Sequence, residues 1–323
     1  MREGIYADMH NHTTASDGDL SPERLIQRIK SLGIAVVGVT DHDTGKGLER
    51  AIAEGQKIGV QVLPGVEMSV RFKEKFFTGT LHLLCYFPSE MIKNERFIKS
   101  FNRTLGKGRG EHLVRARVSE INRFFGPQLC HQGDCIESGH HTAAIEPVKI
   151  PILKRELTFE DVASYSSAVT RRHFALALTE KHGIDNPDIV NQIIGNDSPA
   201  YLPSGVDLES VNQFQEEFSL MMVLAHPAAG SFPGGGHYKE VHPPVETVER
   251  LFPRFIDAGI RGIEINYPGH IESHRAILRQ WAAKYDLVAT GGSDCHDEFV
   301  RPPGVEGISR EEFEKFDSVI KSP

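Results

Sequence analysis

The sequence predicts an α/β barrel interrupted by a mainly helical insertion. Three observations carry this. Short apolar runs alternate with helical stretches toward both ends of the chain, most of those runs end in His, Asp or Glu, and strand patterning thins out across the middle. Strand followed by helix, repeated, implies parallel βα units. Ligand-type residues at the ends of successive strands imply a barrel with its site at the C-terminal face.

Seven apolar runs read as buried strands. Residues 5–9 end in His10-Asn11-His12, and 35–39 end in Thr40-Asp41-His42-Asp43. Residues 60–66, broken by Pro64-Gly65, end in Glu67, and His82 opens or interrupts the run 81–87. Residues 220–225 end in His226-Pro227, and 260–265 carry Glu264. The last run, 287–290, ends in Gly291-Gly292-Ser293-Asp294-Cys295-His296.

Helices separate many of these runs. Ser21 can cap a helix with Pro22 in its first turn; Leu25, Ile26, Ile29 and Leu32 follow helical spacing, and Gly33 closes it. Residues 47–58 form a second helix stopped by Gly59, while 243–258 and 274–284 precede the last two strands. From 91 to 219 helical patterns dominate, at 97–105, 112–125, 159–165, 172–181 and 187–194, and 126–151 is loop-like. The expected organisation is a barrel in 1–90 and 220–323, with 91–219 inserted as a helical domain capping the site.

Composition narrows the function. The 323 residues suffice for one large α/β domain with an insertion. A net charge of -8 argues against stable binding of duplex nucleic acid. It leaves room for a small phosphorylated substrate, because metals make a site locally positive. No apolar run reaches the length of a membrane span, and the N-terminal residues lack the apolar core of a signal peptide. Four irregularly spaced cysteines suit a reducing, cytoplasmic location.

The chemistry lies in accumulation. His10 and His12 lie two apart, so on a strand they share a face and can converge on one metal. Asp294 and His296 repeat that spacing, and Asp17, His42, Glu67, His82 and His226 complete a set of nine ligand-type residues. Imidazole with carboxylate suits Mn, Fe or Zn. Nine ligands exceed what one ion uses, so two or three divalent ions are expected, with Glu67 as the bridging candidate. Such ions generate a hydroxide nucleophile at neutral pH and neutralise charge on a phosphoryl group. Asp17, His42, Asp294 and His296 are the candidates for catalytic roles. Asp41 and Asp43 are expected to orient imidazoles, and Glu264 to be a buried carboxylate doing the same. His274 reads as a helix-start residue, and His270 as a loop residue that can face substrate. Cys130, His131, Cys135, His140 and His141 suggest either an accessory zinc site or a surface loop, the loop being favoured.

The strings His10-Asn11-His12-Thr13, Ser16-Asp17-Gly18, Thr40-Asp41-His42-Asp43-Thr44, Pro64-Gly65-Val66-Glu67 and Ala225-His226-Pro227 resemble the PHP (polymerase and histidinol phosphatase) superfamily. So does Gly291-Gly292-Ser293-Asp294-Cys295-His296. The resemblance implies a distorted seven-stranded TIM-like barrel, a PHP fold, with a di- or trinuclear centre. It implies His10, His12, Asp17, His42, Glu67, His82, His226, Asp294 and His296 as ligands. Thr170-Arg171-Arg172-His173-Phe174-Ala175 is similar to the Arg-x-His-Phe-Ala string of the nucleotide phosphoesterase branch, and Pro199-Ala200-Tyr201-Leu202-Pro203 fits the same branch. That branch implies substrate phosphate held by His173 with Arg171 or Arg172. The expected activity is hydrolysis of nucleotide phosphate monoesters such as nucleoside 3′,5′-bisphosphates. The alternatives are 5′–3′ trimming of short 5′-phosphorylated oligonucleotides, a histidinol or sugar phosphatase, a non-catalytic metal-binding module and a metal-dependent amide hydrolase.

Overall fold

The computed structural model describes residues 4–108, 110–127, 152–166, 169–234 and 242–321. The segment with Cys130, His131, Cys135, His140 and His141 lies outside the described residues. Seven strands form one sheet in sequence order: β1 (Ala7–Asp8), β2 (Val36–Val39), β3 (Gln61–Glu74), β4 (Phe77–Tyr86), β5 (Met221–Leu224), β6 (Gly262–Asn266) and β7 (Val288–Gly291). Past β7 the chain meets the end of β1. Met9 N–H donates to Gly291 O at 3.1 Å, Asp294 N–H to His10 O at 2.8 Å and His12 N–H to Cys295 O at 3.0 Å. These contacts bring the sheet close to a closed barrel. β2 and β5 are buried along their whole length, as expected of strands covered on both faces.

One expectation from the sequence is corrected. The units are not all parallel: β4 runs antiparallel to both β3 and β5. The cause is the connection. Only Lys75 and Phe76 separate β3 from β4, and two residues can close a hairpin but cannot cross over to a parallel strand. β3 also runs on past Glu67, burying Val66, Met68, Val70 and Phe72 at period two. The register opposes Ser69 to His82 and Glu67 to Leu84, so Glu67 and His82 are diagonal neighbours on one face.

The outer helices follow local signals. α1 (Pro22–Ser31) is capped by Ser21 and buries Leu25, Ile26 and Ile29. α2 (Leu48–Ile58) ends at Gly59, whose φ of 73° is the left-handed conformation that glycine adopts without strain. α3 (Glu95–Gly106) follows β4, and the chain leaves the barrel after it.

The chain divides into two compact units, one comprising Met1–Gly108 with Pro203–Pro323, the other Arg109–Leu202. The second unit holds α4 (Glu111–Phe125), α5 (Phe159–Ala163), α6 (Arg171–Leu176, continued by a π turn over Ala177–Lys181) and α7 (Pro187–Ile194). It has its own core, with Val118, Ile121, Phe125, Phe174 and Leu178 buried together. This is narrower than the 91–219 read from sequence. α3 and α8 (Leu208–Phe218) belong to the first unit, where the rings of Phe97 and Phe101 pack at a tilt against Phe214. Gly205 N–H donates to Gly108 O at 3.0 Å, so the chain returns to the barrel beside its exit. α9 (Val245–Asp257), α10 (Glu272–Tyr285) and α11 (Arg310–Ile320) complete the first unit. Among the described residues, no helix is long and apolar enough to cross a membrane.

Candidate metal centre

The strands and the loop that carries Asp17 bring all nine predicted ligands into one cluster. His10 and His12 follow β1, His42 follows β2, Glu67 lies in β3, His82 in β4, His226 follows β5, and Asp294 and His296 follow β7. Backbone conformation helps to aim them: His226 and Asp294 sit at φ 29° and 48°, a region that non-glycine residues seldom occupy and that recurs at functional sites.

Four donors form the innermost set. His10 Nε2 lies 3.2 Å from His12 Nε2, 3.2 Å from Glu67 Oε2 and 3.4 Å from Asp294 Oδ1. His12 Nε2 lies 3.1 Å from Glu67 Oε2 and 3.0 Å from Asp294 Oδ1. A tetrahedral ion with bonds of about 2.0–2.1 Å spaces its donors by about 3.3–3.4 Å. These five separations are close to the edges of such a tetrahedron. Glu67 Oε1 faces the other way, 2.9 Å from His82 Nδ1 and 2.9 Å from His226 Nε2. One carboxylate thus serves two donor groups. A further group joins His12, Asp17, His42 and His296 more loosely, with His296 Nε2 at 3.6 Å and His42 Nε2 at 4.0 Å from Asp17.

The chemistry of the cluster fits bound cations. His12 Nδ1, Asp17 Oδ1, His42 Nδ1, Glu67 Oε2 and His82 Nδ1 are buried and make no hydrogen bond of good geometry among the described residues, although His42 Nδ1 and His82 Nδ1 lie 3.1 and 2.9 Å from Glu67 oxygens. Orphaned polar atoms carry a desolvation cost that an ion would remove. Burial disfavours the charged form of His12, yet Asp294 and Glu67 outweigh it and hold its pKa up at about 10. Burial likewise opposes ionisation of Glu67, and His42, His82 and His10 outweigh it. A cation held here would take the place of such protons, so its binding would be coupled to their release. Burial lowers the pKa of His42, and lowers that of His296 to about 4.

Partners around the cluster fix the ligands. Glu264 lies with Oε1 3.2 Å from His10 Nδ1 and accepts the His226 N–H at 2.8 Å, so a carboxylate from β6 orients two ligands. Asp41 accepts Thr13 N–H, Thr13 Oγ1–H and Ser16 Oγ–H at 2.7–2.8 Å, bracing the loop between His12 and Asp17. Asp8, missed in the sequence, accepts from Asn11 Nδ2, from Ser293 N and Oγ, and from Gly304 N. It ties the first ligand strand to the last. Arg301 and Tyr267 both bond Asp294 Oδ2, leaving Oδ1 for the cluster. Asp43 uses Oδ1 to accept the Ser69 N–H at 2.8 Å.

Gly292 sets the closure at this point. A Cβ there would lie 2.3 Å from His10 N and 2.4 Å from His10 Cβ. Gly292→Ala must therefore part the two ligand strands. It is expected to cost about 3 kcal/mol or more of stability and to impair ion binding. Urea unfolding and ion content check this; an unchanged unfolding midpoint would count against the tight closure.

His242 joins the cluster although the sequence reading passed over it. It follows no strand, so the strand-end rule has no purchase on it. His82, His226 and His242 offer ligand atoms within 4.8 Å of one another.

The predicted substrate residues are placed as follows. Arg171, Arg172 and His173 open α6 in the second unit. Arg171 Nη2 donates to Asn196 Oδ1 at 2.6 Å, and its guanidinium lies 5.7 Å from the Tyr201 ring centroid. With Arg117, Phe174 and Tyr201 it lines a cavity of that unit. Arg172 is exposed. His173 Nδ1 accepts the Thr170 N–H at 2.9 Å, in a reciprocal helix cap.

His270 is placed differently from the sequence expectation. It is buried, with Nδ1 3.0 Å from Ile265 O and Nε2 accepting the Ala228 N–H at 3.2 Å. Both nitrogens are occupied by the fold, so it does not present one to a substrate. Burial holds its pKa down at about 3. Below pH 6.5 the unfolded chain takes up a proton here that the fold does not, so stability falls as pH drops toward 3. About 3 kcal/mol of the stability at pH 7 is expected to be lost through this group by pH 4. Replacing it in His270→Gln should flatten the fall by that amount, as read from urea midpoints at pH 7 and pH 4.

A near-closed barrel that gathers nine imidazole and carboxylate groups into one cluster, two sets of them sharing one glutamate, is the frame of a metal-dependent hydrolase. Residues 8–186 match the PHP domain, more than half of the chain, and the protein belongs to that family. Three relatives align along nearly the whole chain. A 5'-3' exoribonuclease of Haemophilus influenzae is 24% identical over 90% of this chain and 89% of its own length. A phosphoribosyl 1,2-cyclic phosphate 1,2-diphosphodiesterase of Eggerthella lenta is 25% identical over 92% and 97%. A 3',5'-nucleoside bisphosphate phosphatase of Chromobacterium violaceum is 25% identical over 90% and 86%. The fold is shared with a candidate metal-dependent phosphoesterase from Bifidobacterium adolescentis, at a TM-score of 0.66 and 21% identity over 97% of this chain and 96% of that one.

Proposed function

We propose that this chain is a metal-dependent phosphoesterase that hydrolyses nucleotide phosphate monoesters, nucleoside 3′,5′-bisphosphates first among them, at a centre of two or three Mn, Fe or Zn ions. The carrying observation is the division of Glu67, whose Oε2 faces His10 and His12 while Oε1 faces His82 and His226. Divalent ions held by such a set acidify water and neutralise charge on phosphoryl oxygens.

The chain's own residues do the rest. His10, His12 and Glu67 are fully buried and fix the floor of the centre. As at His82, which keeps 18%, side chains stay partly exposed at Asp17, His42 and His296, at 21%, 14% and 16%, so these three are open to a substrate. With Asp294 they are the groups proposed to hold and move protons between water and leaving oxygen. Glu264 and Asp41 keep the imidazoles and the Asp17 loop in place. Arg171 and His173 are proposed to bind a substrate phosphate, the guanidinium supplying a fixed fork of donors.

The 5'-3' exoribonuclease among the relatives supports a second reading, in which this chain trims short 5′-phosphorylated oligonucleotides from the 5′ end. Phosphate release and product analysis with added Mn²⁺ separate the two. The panel is an adenosine 3′,5′-bisphosphate, a mononucleotide, a sugar phosphate and a 5′-phosphorylated trinucleotide. The bisphosphate should give the highest kcat/KM and Asp294→Ala should be inactive. A trinucleotide shortened from its 5′ end with higher kcat/KM selects the second reading. No hydrolysis of any ester with Mn²⁺, Fe²⁺ or Zn²⁺ removes both.

A further inference from the structure

We propose that His242 is a tenth ligand of the metal centre, joining His82, His226 and Glu67 Oε1 to hold a third divalent ion. This rests on the metal-centre reading above and extends it to a residue outside the strand-end set.

His242 stands between the short turn Ala229–Ser231 that follows β5 and the start of α9. Two features hold it there. Val245 N–H donates to Ser231 Oγ at 2.8 Å. A Cβ on Gly230 would lie 2.2 Å from Pro243 O and 2.3 Å from His242 O, so only glycine lets the two backbone segments meet so closely. The result is that the His242 ring lies 4.5 Å from the His226 ring and 5.3 Å from the His82 ring, between centroids.

The contents of this corner point to a cation. His242 Nδ1 is buried and has no hydrogen-bond partner among the described residues. A histidine that only packed would be expected to satisfy that nitrogen. The ligand atoms of the three imidazoles lie within 4.8 Å of one another. Glu67 Oε1 is 2.9 Å from both His82 Nδ1 and His226 Nε2. Three imidazoles with one carboxylate are a donor set of the kind zinc and related ions take.

The test counts ions. The full chain, saturated with Zn²⁺ and freed of excess, is expected to hold three ions, and His242→Ala two. Chelator competition should show the weakest ion of the wild type bound at least ~10-fold more weakly in the variant. Cobalt loading gives an independent signal, since one set of visible bands should be lost in His242→Ala. Urea unfolding of both metal-free proteins shows whether the variant folds, and if it does not, His242→Gln replaces it. Equal ion counts and affinities in wild type and variant overturn the tenth ligand while leaving the metal centre standing. A wild type that binds no ion removes the metal-centre reading itself, and the inference with it.

Discussion

Glu67→Gln is expected to lower kcat/KM for any phosphate ester by at least about 10,000-fold, equivalent to more than about 5 kcal/mol of transition-state stabilisation. The side chain is fully buried, and imidazoles of His10, His12, His42, His82 and His226 all lie within 3.2 Å of its two oxygens. A carboxamide presents one oxygen and an NH₂ that repels cations, so one of the two donor sets loses its shared ligand. Ion content should fall with activity. The metal-free protein should respond as well. Glu67 helps to raise the pKa of His12 to about 10, above its ordinary 6.5. That contribution to stability is fully present below pH 6.5 and is lost as pH rises through about 10. Glu67→Gln should therefore destabilise the metal-free fold most at neutral and acid pH. A variant that kept its ions and more than a tenth of the activity would show that Glu67 does not bridge.

The cluster was legible because most of its donor side chains sit where buried apolar runs stop. A strand covered on both faces reads as a short apolar string, and the first polar residues beyond it emerge at the barrel mouth. That logic located His10, His12, His42, Glu67, His226, Asp294 and His296 one by one. His82 was harder, since its place depends on strand pairing: only the antiparallel register brings it diagonal to Glu67. The signal for that hairpin was present in Val66-Glu67-Met68-Ser69-Val70-Arg71-Phe72, which alternates apolar and polar, but Lys75-Phe76 is not a turn sequence that advertises itself. α8 and α11 were also passed over, although Asp207 caps the first and a Ser309/Glu312 capping box opens the second. His242 and Asp8 could not be read in this way. Their partners are 16 and 285 residues away, in the pairs His242 with His226 and Asp8 with Ser293. His270 shows the converse: a histidine in a loop after a strand end looked available, and the fold uses both its nitrogens.

Arg171→Ala is expected to lower kcat/KM for a nucleoside bisphosphate by about 100-fold, chiefly through KM, with ion content unchanged. The figure follows from losing charge-assisted hydrogen bonds to phosphate, about 3 kcal/mol. The sequence favours Arg171 but leaves Arg172 open as the alternative, and their surroundings differ. Arg171 is part-buried, braced by Asn196 and set over Tyr201, an arrangement that holds a guanidinium in one orientation before a phosphate arrives. Arg172 is exposed, and holding such a side chain in place costs side-chain entropy. Arg172→Ala should accordingly change kcat/KM by less than about threefold. Arg171→Lys should recover only part of the loss, because an ammonium cannot reproduce the planar fork. Asn196→Ala should fall between the two, since it frees the guanidinium without removing it. Steady-state kinetics on the four variants, with ion counts alongside, test this ordering. A larger loss in Arg172→Ala than in Arg171→Ala would reverse the assignment, and a KM within twofold of wild type in both would take this helix out of phosphate recognition.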